Sequence, residues 1–187
     1  MVFHRRRQSP PDPFDALDVS TLPARYRPVV DDALRSRVEF HRMVESLSAG
    51  PGQERLRELS LRVDEGTRAV WDTACRAVEM ERVVATLDPD RVTAELKQAR
   101  RSGADPQVVE ALTARFASVQ RLLDALDHLR ERLPVLEARL GAALARAAEL
   151  SLITTGGASS DVTAIDAELQ SLVIDLEALR LASLELS

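Results

Sequence analysis

Apolar residues recur in alternating steps of three and four from Val119 to Leu150, through Leu122, Leu126, Leu129, Leu133, Leu136, Leu140, Ala143 and Ala147. That is the heptad spacing of a helix that packs along another helix. A second stripe follows the same alternation through Leu56, Leu59, Val63, Gly66, Val70, Thr73, Ala77, Met80, Val84 and Leu87. A third runs Val162, Ile165, Leu169, Leu172, Leu176, Leu179. Leu, Ala, Glu and Arg, all strong helix formers, dominate these stretches. No segment alternates with the period of two that a half-buried strand needs. The pattern predicts an all-α fold, an elongated helical bundle of about five helices built on a long antiparallel coiled-coil hairpin.

Helix boundaries follow from the residues that break the pattern. Pro10, Pro11, Pro13 and Pro23 bias their neighbours away from α geometry, so residues 1–27 are expected to be a disordered, proline-rich tail. Pro28 suits the first turn of a helix. The first helix, ending near Leu47, sets Val29, Val30, Ala33, Phe40, Met43, Val44 and Leu47 on one side, with Asp32, Arg35, Glu39 and Arg42 opposite. The segment SAGPG at 48–52 ends it, and a second helix is expected from about 53 to 87. Asp88-Pro89-Asp90 is a break with a restart, and Gly103 is a natural left-handed C-cap for the short third helix. Asp105-Pro106 restarts the chain again, and the fourth helix is expected to run to about Leu152. Pro134 falls inside it, but Leu129, Leu133, Leu136 and Leu140 keep phase across the proline, which predicts a kinked continuous helix. The bundle thus spans 28–152. A flexible linker by composition covers 153–160, and an acidic C-terminal helix covers 161–187.

Trp71 stands beside the second stripe with Ala74 and Val78, and widens it. A helix buried on two sides implies at least three helices in cross-section. Only six of 187 residues are aromatic, which suits narrow leucine and alanine seams better than a thick core. The net charge of −5 is unevenly placed: residues 151–187 hold six acids and one base, whereas residues 1–150 hold 24 of each. A neutral body with an acidic end lacks the basic face of a nucleic-acid binder.

The sequence offers little chemistry. His4, His41 and His128 lie far apart, and neither Glu-x-x-His nor His-Glu-x-x-His occurs, so no metal site and no cofactor is expected. Gly156-Gly157 lacks the Lys-Ser/Thr of a phosphate loop. Asp124, Asp127 and His128 share a helix surface and are read as a solvated face. The single cysteine, Cys75, reads as a small buried hydrophobe. No catalytic residue is assigned, and the chain is expected not to be an enzyme.

The expected function is that of a scaffold or adaptor acting on protein partners, or on itself, through helical seams. The interface residues are Leu126, Leu129, Leu133, Leu136 and Leu140, with Ile165, Leu169, Leu172 and Leu176 of the last helix as docking residues. An alternative is peripheral attachment to a membrane surface through Phe3, Arg5, Arg6 and Arg7. The long hairpin with a basic start and an acidic end resembles, in helix lengths alone, the phage-shock and ESCRT-III membrane-remodelling architecture. No stretch approaches the roughly 20 apolar residues that cross a bilayer, and no signal-peptide core follows the N-terminal arginines. The expected location is cytoplasmic, at the inner face of the membrane in the alternative reading.

Overall fold

The computed structural model describes residues 12–47 and 49–152, with eight further positions between Thr163 and Ala178, all eight helical. Among the described residues are four α-helices, α1 (Arg27–Ser46), α2 (Pro51–Leu87), α3 (Pro89–Arg101) and α4 (Pro106–Leu152), preceded by a 3-10 turn at Val19–Thr21. The fold is all-α, as the stripes require. The count of about five is not met among the described residues: α2 and α3 pack in succession along α4 and α1 lies beside α2 and α4, so the helices make three columns.

Local chemistry explains each boundary. The Asp88 carboxylate accepts from the amide of Arg91 at 3.2 Å and caps α3. Asp88 is also the one non-glycine residue at positive φ (49°) among the described residues, a conformation that Asp tolerates better than most. It lets one helix stop and the next begin with no loop between them. Gly103 follows α3 at φ 67°, and the amide of Ala104 reaches back to the carbonyl of Ala99 at 3.0 Å. This is the Schellman closure of a helix C-terminus. Asp105 then caps α4 by accepting from the amide of Gln107 at 2.8 Å. The side-chain amide of Gln53 donates to the carbonyls of Val44 and Leu47, at 3.2 and 3.0 Å, so the start of α2 satisfies the open end of α1. Pro134 is exposed and α4 runs through it as one helix.

Cross-helix pairs fix the directions. Glu81 meets Arg130 at 2.8 Å, Glu95 meets Arg115 at 3.1 Å and Arg100 meets Thr113 at 3.3 Å. Numbers rising along α2 and α3 match numbers falling along α4, so the two columns are antiparallel. Tyr26 meets Glu81 and Arg37 meets Asp64, which sets α1 antiparallel to α2.

The main core is continuous. It joins Val30, Phe40 and Val44 of α1 to Leu56, Val63, Val70 and Ala77 of α2 and to Leu126 through Ala147 of α4. Leu136, Leu140, Ala143 and Ala147 are wholly buried, and each such leucine contributes roughly 1.5–3 kcal/mol relative to exposure. Val92, Leu96 and Ala99 of α3 are buried outside that main cluster, as is Val119 of α4. Among the described residues α3 touches α2 and α4 but not α1.

Residues 12–26 depart from the expected disordered tail. They are turns and a 3-10 segment, irregular but anchored, with Leu22 and Tyr26 each 3 % exposed in the core. The Arg27 guanidinium ties this segment to α1 by donating to the carbonyls of Leu22 and Ser20 at 2.7 and 2.9 Å. Prolines that forbid helix here do not forbid burial of the side chains between them.

Among the described residues one buried side-chain polar atom goes unmatched. Thr67 of α2 is 1 % exposed, and its hydroxyl has no hydrogen-bond partner. Leaving a hydroxyl so costs about 1–3 kcal/mol. Thr67→Val, close to it in shape, is expected to stabilise the fold by about 1 kcal/mol, read as a rise in Tm of about 2–4 °C for a chain of this size. A lower Tm would mean that the hydroxyl is bonded in solution.

Candidate helix-contact site

Three polar assemblies sit on the packed helices, and each is built from residues that the heptad pattern alone does not single out. The first joins three columns at one carboxylate. Glu81 of α2, its side chain 13 % exposed, accepts from the Tyr26 hydroxyl at 2.6 Å, from Arg130 of α4 at 2.8 Å and from Arg25. Burial alone would raise the Glu81 pKa, but hydrogen bonds from Tyr26, Arg130 and Arg25 outweigh it and hold the carboxyl below the usual glutamate range. Burial, with the hydrogen bond to the same carboxylate, pushes the Tyr26 phenol up. Arg130 also pairs with Asp127 at 3.0 Å.

The second assembly surrounds Arg37, which is 7 % exposed and lies on the apolar face of α1. Its guanidinium donates to both oxygens of Asp12 at 2.7 and 3.1 Å and to Asp64 of α2 at 2.6 Å. The Phe14 ring stacks over it at 4.0 Å. His41 Nε2 lies 2.8 Å from the same Asp64 oxygen. A buried guanidinium needs its N–H groups matched, and removing either carboxylate would leave buried donors without an acceptor. Burial would raise the Asp12 pKa, but the bonds from Arg37 and the Phe14 amide and the nearby cations bring it down. The effect is to strap residues 12–14 across α1 and α2.

The third assembly is a groove of about 680 Å³ bounded by Phe14, the face of α2 bearing Arg62, Arg68 and Arg76, Leu129 of α4, and Gln170 and Ile174. Asp64, Glu65 and Asp72 lie among the three arginines along its wall, so its described lining carries no net charge. Two ion pairs bring the C-terminal positions here. Arg62 lies 3.7 Å from Asp166, and Arg139 donates to Asp175 at 2.5 Å and to the Ser171 hydroxyl at 3.3 Å.

Of the residues expected from the sequence, Leu126, Leu129, Leu133, Leu136 and Leu140 are all within 3 % exposure and face α1 and α2 of the same chain. Ile165, Leu169, Leu172 and Leu176 lie outside the described residues, as do Phe3, Arg5, Arg6 and Arg7. Trp71 and Cys75 are half-buried against the core; burial, with the charges of Asp72 and Glu79 beside it, pushes the Cys75 thiol up, away from the reactive thiolate. Asp124 and His128 are exposed. Among the described residues no three His, Cys, Asp or Glu side chains gather as metal ligands, and no helix is long and apolar enough to cross a membrane. The assemblies at Glu81 and Arg37 escaped the sequence reading, although Arg37 carried a signal. It continues the three-and-four stepping of Val30, Ala33, Phe40 and Val44, where a charge demands buried partners.

Compared with protein-family models, curated proteins and solved structures, the chain matches none.

The depressed Glu81 pKa carries a pH signature. A carboxyl held low in the folded state stabilises above its unfolded pKa of about 4.3, and that contribution is lost as pH falls through the folded value. Glu81→Gln is expected to cost about 1.5–3 kcal/mol at pH 7. The difference from the parent chain should shrink steadily below about pH 4 in urea titrations; a gap independent of pH would mean that the charge contributes nothing.

Proposed function

We propose that the chain is a non-enzymatic helical scaffold or adaptor, that α2, α3 and α4 act as a coiled-coil hairpin, and that it works through helix–helix contacts, including contacts with itself. The observation that carries this reading is the change in thickness along the hairpin. Beside α1 the columns α2 and α4 are covered on a third side. At the α3 end α4 has one companion among the described residues, Leu112 and Phe116 are half-buried, and Val108 is 49 % exposed. A further helix laid there would repeat the packing that α1 supplies lower down.

The leucine stripe itself is occupied within the chain, which directs the reading away from that stripe and towards the tip. The solution mass of the full chain by light scattering at two concentrations tests it. A mass above 20.6 kDa that grows with concentration is expected, and Val108→Glu at the exposed tip position should return it to the monomer. A mass of 20.6 kDa at both concentrations would remove self-association from the proposal.

A further inference from the structure

The acidic excess of the chain meets the helices at two arginines on different columns. Asp166 faces Arg62 on α2 and Asp175 faces Arg139 on α4. The two carboxylates are nine positions apart, about 13 Å along a helix, so the pair of arginines reads both the spacing and the direction of the segment. The four side chains retain between 31 % and 47 % exposure. Ion pairs this open are individually weak and screened by salt.

We propose that Arg62 and Arg139 form an electrostatic dock for the segment bearing Asp166 and Asp175, and that the dock accepts this segment from a second copy of the chain as well as from its own. The proposal rests on the reading of the chain as a helix-contact scaffold and names one partner for it. The second copy is the occupant that charge complementarity selects, because it presents the same two carboxylates at the same spacing. The chain between Leu152 and Thr163 is ten residues long, with a reach of up to about 35 Å when extended. That length permits a segment to leave its own dock for a neighbour's. Exchange of an identical element between copies needs no new interface. Within one chain the tether supplies an effective concentration on the order of millimolar, so the contact is intramolecular in dilute solution and passes between copies when chains are concentrated or held together.

Reversing the charges separates the two arrangements. In Arg62→Glu/Arg139→Glu the dock repels its own segment, and in Asp166→Arg/Asp175→Arg the segment repels its own dock. With Val108→Glu also present to remove association through the tip, each variant alone is expected at 20.6 kDa, with amide exchange over 163–178 faster than in the Val108→Glu chain. Mixed one to one, each segment finds an opposite charge only on the other chain. A 1:1 complex of twice the monomer mass should form, and exchange over 163–178 should slow again. All four substitutions in one chain should restore the monomer and its parental exchange. The milder Arg62→Gln/Arg139→Gln, which introduces no repulsion, should speed exchange over 163–178 by about tenfold at 50 mM salt, the scale of two exposed pairs, and by much less at 1 M. A mixture that stays at the monomer mass overturns docking between copies. Exchange over 163–178 that is the same in the parent and the neutral variant at low salt overturns the dock itself. Every chain in this comparison carries Val108→Glu at the α3 end, so failure here is distinct from failure of association through the tip.

Discussion

The stripe from Leu126 to Ala147 has to satisfy two neighbours at once, and most of the architecture follows from that. A helix that buries leucine on one narrow line needs one companion. A helix that leaves Leu133, Leu136 and Leu140 at 2 % exposure or less needs its line covered from both sides. Here α2 covers one side and α1 the other. The antiparallel order of the columns is the short-linker solution to that demand, since the chain has only residues 47–50 between α1 and α2 and the Gly103 turn between α3 and α4 in which to reverse.

The polar assemblies then specify which of many similar packings is adopted. Leucine seams are tolerant of sliding by a heptad. Glu81, reached by donors from before α1, within α1's cap and in α4, is not, because a shift of one turn would strand a largely buried carboxylate. Arg37 does the same for α1 against α2, and recruits Asp12 and Phe14 so that the segment before α1 also has one position. Specificity carried by buried charge costs stability relative to apolar packing, and both assemblies lie where three chain segments have to be aligned.

Much of this was legible in the residues. The stripes gave the helices, and Asp88, Gly103, Asp105 and Pro106 gave the breaks, because caps and left-handed turns are local chemistry that a single sequence carries. The unbroken leucine phase across Pro134 matches an α4 that continues through the proline. The anchoring of residues 12–26 was not legible, since prolines announce the absence of helix and say nothing about whether Leu22 and Tyr26 find a core. Nor could heptad spacing say whether a seam closes within one chain or between two; that depends on which helices the turns bring together. The Glu81 and Arg37 assemblies depend on contacts between positions 23 to 56 residues apart, which no local pattern encodes.

The separation of the α3 core from the main core has a mechanical side. Bending stiffness of a bundle rises steeply with its cross-section, and among the described residues that cross-section falls from three columns beside α1 to two at α3. Thermal force applied along the bundle concentrates deflection just past α1, near the Asp88 break on one column and the unbroken α4 on the other. Whatever compliance the bundle has is therefore concentrated at the two-column end that bears Val108 and Phe116 rather than beside α1.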